Sequence, residues 1–381
     1  MYQFNDDQIL LKNFIQRFVK QSIEPGSMER DMQGKYPKEI MDELKGLGYY
    51  GIMIPEEEAG LGMDTVSSMI ILSEIARSDA AIAHMLDTAN FGYLIPVNTF
   101  ATEEQKDQYV LPCITHFKRG ILAVNESKND DGNEVTARKE GDYYIINGSK
   151  TMITDAHIAD FALTLVKTGE SSEGMGGMSA FIIPVKNQKG VIIGSSESTM
   201  GMKSLKMSEI HFEECKVHKS QLIGTENFGF MVIGKSIEMM NISNAAVALG
   251  IAERAFDEAL NYTKVRKIDG ILMSQIGAIR SEIAEMKARL EQMRLDVFYT
   301  AYLMDLKVVN TMSYLAITKY KVTENAKWMC DKALQLFGGY GYTKGYVVEK
   351  LYRDVRAFTI LGCPSEQQKD VIVGDVYGEY N

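Results

Sequence analysis

The sequence predicts an α+β chain in three successive parts: a helical domain over 1–118, an antiparallel β domain over 119–226 and a helical bundle over 227–381. Two observations carry this. Before residue 118 and after 227, apolar residues recur at three- and four-residue spacing; between them they fall in short runs rich in β-branched and aromatic residues, separated by turn formers. At 381 residues the chain is too long for one ordinary core, and its 45% hydrophobic and 24% charged residues suit a globular protein.

In the first part, Ile9, Phe14 and Phe18, then Ile40, Leu44 and Leu47, set apolar helix faces. The stretch IPEEEAGLG breaks the pattern with Pro55, Gly60 and Gly62, and ARSDAA at 76–81 reads as a helix end followed by a new start. The strand candidates are GILAVNE, GDYYIINGSKTMIT, DFALTLVKT, MSAFIIPV, GVIIG and SEIHFEEC. The helical period then returns in long runs, including Ile276, Ile279, Ile283, Met286, Leu290 and Met293, and continues to about residue 336. There is no internal repeat and no low-complexity segment.

Charge and composition exclude several classes. A net charge of −10 without a basic block argues against nucleic-acid binding. No run of eighteen uncharged apolar residues exists, and the first residues lack a secretory leader, so no membrane span and a cytoplasmic location are expected. Cys113, Cys215 and Cys330 are widely spaced, match no metal-ligand pattern and are expected to be buried thiols. The 23 methionines fit gap-filling in helical cores.

The segment QLFGGYGYTKGYVVEKLYRD, residues 335–354, resembles the C-terminal signature of the acyl-CoA dehydrogenase family of flavoproteins. LGYYGIMIPEEEAGLGMD, SEIARSDAA, YYIINGSKTMIT, and NYTKVRKIDG with Gln275, are similar to further family segments and stand in the family's order. The resemblance implies the family fold, with a β-barrel-like middle domain and a C-terminal four-helix bundle. It also implies FAD as cofactor and a homotetramer or homodimer. On the residues alone, Gly338, Gly339 and Gly341 place backbone close to something bulky or form a helix C-cap and turn. The resemblance implies that Arg266 pairs with the FAD pyrophosphate across a subunit boundary, a task suited to a rigid guanidinium fork, whereas a solvated arginine is the plain alternative. It further assigns Gln335 and Gly339 to the adenosine half, Gly338 to the cofactor site and Thr154 to the flavin near N5. Met152 takes the place of a flavin-covering tryptophan, and Asn125 and Glu366 fall at other cofactor-binding positions. An ordinary strand threonine is the alternative for Thr154.

The departures from the family are as informative. Its reaction takes the α-proton of an acyl thioester with a carboxylate while the β-hydrogen leaves as hydride to flavin N5. Alignment from LYRD forward puts Gly362 at the usual glutamate, with Cys363 and Pro364 next to it, while Ser365 and Gln368 still match. The other family position for the base holds Met240, followed by Asn241. Neither residue abstracts a proton. The thioester loop appears as NESKNDD at 125–131, retaining Glu126 and Asp131 without the family's glycines, and Asp269 replaces an aromatic residue. Asp131, Asn241 and Gly362 are the expected substrate-side positions, and Cys363 and Glu126 are the remaining candidates for a substitute base. Glu238 lies about 200° around a helix from Met240 and faces elsewhere.

These features together predict a FAD-dependent oxidoreductase acting on an unusual acyl thioester, tethered to an acyl carrier protein rather than to CoA as in biosynthetic relatives, with hydride passing to flavin N5. The alternatives are a flavin-dependent monooxygenase or N-oxygenase of the same fold, and a flavin-binding homologue without catalysis. The sequence identifies neither the electron partner nor a replacement base.

Overall fold

The computed structural model describes residues 3–126, 134–170, 172, 176–308 and 311–378. Eight helices come first: α1 (Asp6–Phe18), α2 (Ser27–Gln33), α3 (Lys38–Gly46), α4 (Thr65–Ala76), α5 (Ala80–Asp87), α6 (Ile95–Phe100), α7 (Glu103–Tyr109) and α8 (Leu111–Thr115). A capping box closes the start of α1, with Asn5 accepting from the backbone N–H of Gln8 at 2.8 Å. Gln8 also donates to Asp64 at 3.1 Å. That commitment turns Gln8, Ile15 and Phe18 inward, so the expected apolar face is only partly right: Phe18 is buried, but Ile9 and Phe14 are exposed. The break after residue 54 is a short 3₁₀ turn, Glu56–Glu58. α4 and α5 are separate helices meeting at 77–79, and a π-helical stretch, Thr88–Leu94, continues α5.

Strands follow: β1 (Gly120–Ala123), β2 (Thr136–Glu140), β3 (Tyr143–Thr154), β4 (Phe161–Lys167), β5 (Met178–Pro184), β6 (Val191–Ser196), β7 (Met207–His218) and β8 (Leu222–Ile223). They form one sheet in the order β6-β7-β3-β2-β4-β5-β8, with β1 added parallel to β4. Most pairings are antiparallel, as the short alternating runs require.

The third part comprises α9 (Gly229–Val265), a two-stranded hairpin of β9 (Lys267–Ile268) and β10 (Ile271–Leu272), then α10 (Gly277–Asp305), α11 (Thr311–Phe337), α12 (Val347–Phe358) and α13 (Ser365–Val376). The hairpin was not anticipated, although its signal is plain: Asp269-Gly270 between β-branched residues, both at positive φ (48° and 83°). One apolar core joins the N-terminal helices to α9–α12, a second fills the β domain, and a third lies where β4, β5 and the start of α9 meet the N-terminal helices. Cys113, Cys215 and Cys330 are buried as expected. Among the described residues no helix is long and apolar enough to cross a membrane.

Two buried ionic contacts hold the three parts in register. Arg119, at the entry to β1, donates to Asp155 at 2.5 Å, to the Tyr50 hydroxyl at 2.6 Å and to the Met85 carbonyl at 2.9 Å. On α12, the fully buried Asp354 accepts from Lys350 at 2.7 Å and from the backbone N–H of Met202 at 2.6 Å. The adjacent Arg353 reaches Asp31 in α2 at 2.7 Å. Asp354→Ala is expected to cost about 3–5 kcal/mol, because it strands a buried ammonium group. Arg138→Ala, at a solvent-exposed pair with Glu214, is expected to leave the midpoint nearly unchanged. Denaturant midpoints of the two variants check this, and equal shifts would refute the clamp.

Candidate functional site

Two cavities gather almost all of the sequence-predicted positions. The first, of about 120 Å³, opens between the end of β3, the start of α9 and the turn after α12. One wall is Asn125, Met152, Ile153 and Thr154 from the β domain; the opposite wall is Leu361, Gly362 and Cys363; Met240 and Asn241 of α9 and His84 and Thr88 of the N-terminal helices complete it. The second, of about 650 Å³, is lined by Arg266, Gln335, Gly338, Gly339 and Tyr340 among others, at the end of α9 and of α11.

Local chain geometry sets the β wall. The pairing of β3 with β7 slips between Lys150 and Ile153, and within that bulge Met152 takes a φ of 55°, a left-handed conformation that a long side chain adopts only at a cost. Met152 is 48% exposed as a result, presenting an apolar side chain at the cavity mouth. The opposite wall depends on a similar turn. Gly362 has φ 68°, and a Cβ built there would meet only the Asn244 amide nitrogen, at 3.6 Å. The position has room for a side chain but a backbone that favours glycine.

Polar groups around this cavity are unusually placed. Asn244 is fully buried and neither its amide nitrogen nor its oxygen has a hydrogen-bond partner among the described residues. Asn241 accepts from Gln368 at 3.0 Å, and Gln368 also donates to the Cys363 carbonyl at 3.1 Å, which fixes the turn carrying Gly362. Lys319 donates to the carbonyls of Leu361, at 2.8 Å, and Cys363. Burial pulls the Lys319 ammonium down to about 8 and pushes the Cys363 thiol up, with Lys319 opposing the latter shift.

Asp131 lies outside the described residues. Glu126 does not line the cavity: its carboxylate pairs with the buried Lys150 and accepts from the backbone N–H of Val135 at 3.2 Å, so a proton-accepting role is not what its surroundings provide. Glu366 is exposed on α13 and lines neither cavity, Asp269 sits in the exposed hairpin turn, and Glu238 pairs with Lys235 at 3.0 Å. Sequence reasoning missed His84, Thr88, Asn244 and Lys319. Each is a polar residue within an apolar helical run, a signal that could have found them.

The second cavity suits a dinucleotide. Cβ atoms added at Gly338 or Gly339 would meet nothing within 4 Å, so the backbone borders free space. Arg266 forms no ion pair among the described residues and lies 5.6 Å from the Tyr340 ring centre, which leaves its fork available to a phosphate. Three family models match the chain: "Acyl-CoA dehydrogenase, N-terminal domain" at residues 5–116, the middle domain at 127–215 and the C-terminal domain at 227–376. A 3-(aryl)acrylate reductase of Clostridium sporogenes is 38% identical, covering 98% of this chain and 99% of its own. The caffeyl-CoA reductase-Etf complex subunit CarC of Acetobacterium woodii is 35% identical, covering 97% and 98%. The structure of butyryl-CoA dehydrogenase from Megasphaera elsdenii superposes with a TM-score of 0.93 at 30% identity, covering 99% of this chain and 100% of that one. With the fold, the order of the parts and the family models in agreement, this chain belongs to the acyl-CoA dehydrogenase family of FAD-dependent oxidoreductases.

Proposed function

We propose that this chain interconverts a short acyl thioester and its 2-enoyl form, working in the reducing direction and without a carboxylate as proton donor or acceptor. The observation that carries the reading is the wall of the 120 Å³ cavity: it includes Gly362 and Met240, the positions that the resemblance aligns with the family's base, and no Asp or Glu among the described residues lines the space.

When bound, FAD supplies hydride exchange with the β-carbon. Arg266, Gln335, Gly338 and Gly339 would hold its dinucleotide end in the larger cavity, and Thr154 and Met152 would border its ring. The chain's own task at the α-carbon is proton transfer. Removing an α-proton demands a base, whereas an enolate accepts a proton from a weak acid, so reduction driven by a strong electron supply tolerates Gly362. The Cys363 thiol, which lines the cavity and is kept protonated by burial, is such an acid. The reductase names of the two relatives support this direction, and the Etf in one of them supports an electron-carrying partner protein.

The thioester carrier is the second part of the proposal. Glu126 is tied to Lys150, so the thioester end is gripped differently from the family's glycine-rich loop, and a carrier-protein-tethered acyl group is proposed beside CoA. Arg266 lies in a cavity open to solvent, which favours a subunit partner closing it in a dimer or tetramer.

The purified protein is expected to be yellow, and Arg266→Ala to weaken FAD retention by about 1.5–3 kcal/mol, read by dialysis against buffer. Unchanged retention would make Arg266 an ordinary surface residue. Anaerobically, butyryl thioesters are expected to bleach the 450 nm flavin band slowly, while 2-enoyl thioesters reoxidise the chemically reduced protein quickly. Bleaching at the roughly 10 per second of ordinary enzymes would refute the missing base. The same reoxidation assay with acyl-CoA and acyl carrier protein in parallel separates the carriers; a preference for CoA removes the tethered substrate.

A further inference from the structure

The floor of the acyl cavity holds a polar group that proton transfer at the α-carbon does not use. His84 in α5 is 1% exposed, and its Nδ1 lies 3.2 Å from Oδ2 of Asp87, which is 0% exposed. Asp87 in turn accepts from the Ser243 hydroxyl of α9. The Thr88 hydroxyl, beside it, donates to the Met85 carbonyl and keeps lone pairs to accept with. Both His84 and Thr88 line the cavity. A buried histidine–carboxylate pair is costly to assemble in an apolar core and is not needed to fill space, since the surrounding α4, α5 and α9 are otherwise packed with aliphatic residues. The floor also begins the π-helical stretch Thr88–Leu94, a winding that concentrates at functional sites.

The cavity has a direction. Met152 and Gly362, at the side expected to meet flavin and thioester, are exposed; Thr88, Met240 and Asn241 are buried with His84. An acyl group entering with its thioester at the open end brings its far carbon to His84. The volume of about 120 Å³ is below the roughly 150 Å³ that admits one benzene ring, and the wall at Thr154 and Met152 is shared with the flavin edge, so the acyl group is short.

The chemistry of the floor selects the far group. His84 Nδ1 lies 3.2 Å from Asp87 Oδ2 without a hydrogen bond between them among the described residues, so the imidazole keeps its capacity both to donate and to accept. A hydroxyl meets either need, donating to a bare ring nitrogen or accepting from a ring N–H. A carboxylate would set a second buried anion against the single imidazole already paired with Asp87, and no Lys or Arg among the described residues forms an ion pair with Asp87. A methyl would leave the ring's capacity unmet. We infer that His84, on the cavity floor beside Asp87, is a specificity-determining residue that recognises a neutral hydroxyl at the far end of a short acyl thioester. This rests on the acyl-thioester reading above and names its substrate class.

Three probes on one four-carbon backbone test it, used as pantetheine thioesters because that arm is common to CoA and carrier proteins: crotonyl, 4-hydroxycrotonyl and the fumaryl half-thioester. Binding is read from the perturbation of the oxidised flavin spectrum of the holoprotein, independently of turnover. The hydroxylated probe is expected to bind about 10- to 100-fold tighter than crotonyl, as a buried hydrogen bond to a polar group allows, and fumaryl weakest. His84→Phe should bring the hydroxyl-to-methyl ratio near one, and His84→Gln should restore part of the ratio. A yellow wild-type protein that binds the three alike, prefers fumaryl, or binds none overturns the inference without any variant. A His84→Phe protein that loses all probes equally overturns it too, since that is the behaviour of a structural or proton-transferring histidine. A colourless protein instead sinks the flavoprotein reading on which it rests.

Discussion

The carboxylate of Asp354 is the point on which the three parts of the molecule turn. Within one buried group it satisfies the Lys350 ammonium of its own helix and the backbone N–H of Met202 in the β domain, while the next side chain, Arg353, extends to Asp31 in α2. Contact this close is permitted because Gly201 lacks a Cβ: one would stand 2.5 Å from the Arg353 carbonyl carbon. α12 is thereby fixed against the β domain, and everything downstream of it inherits that placement, including the turn that forms one wall of the small cavity. The charged residues of the LYRD signature thus act through architecture, and Gly338 and Gly339 of the larger cavity precede them on the same segment.

With the frame fixed, the small cavity is a contest between apolar packing and a few polar groups that the core would not otherwise admit. Lys319 is stapled to the carbonyls of the Gly362 turn, Gln368 ties the same turn to Asn241, and Arg119 anchors the carbonyl of Met85 beside His84. These contacts hold the walls still. Asn244 and His84, by contrast, have hydrogen-bonding capacity left over, and that surplus distinguishes groups available to a ligand from groups spent on the fold.

Much of this was legible in the residues. The change of period near residues 119 and 227 announced helices, sheet and helices, and the segments around Gly338 and Arg266 pointed to one place before any coordinates did; Arg266, Gln335, Gly338 and Gly339 do line one cavity. The phase of α1 was misjudged because Gln8, a polar residue, is turned inward by its cap and by Asp64, and periodicity counts only apolar residues. Glu126 looked available because sequence gives no sign of Lys150 lying against it from the neighbouring strand. His84 and Asn244 show in the sequence only as polar residues in apolar helical runs; their meaning comes from contacts between α5, α9 and the turn after α12, across more than a hundred residues of chain.

The left-handed turn at Gly362 decides how that wall of the cavity can change. A backbone held at φ 68° costs any side chain about 1–2 kcal/mol, the penalty that a left-handed conformation imposes on L-residues. Space is not the obstacle, since a Cβ there would stand 3.6 Å from the Asn244 amide nitrogen, an ordinary contact. Refilling the wall is therefore a question of backbone before it is one of packing, and a new side chain here is felt first by the turn that carries it.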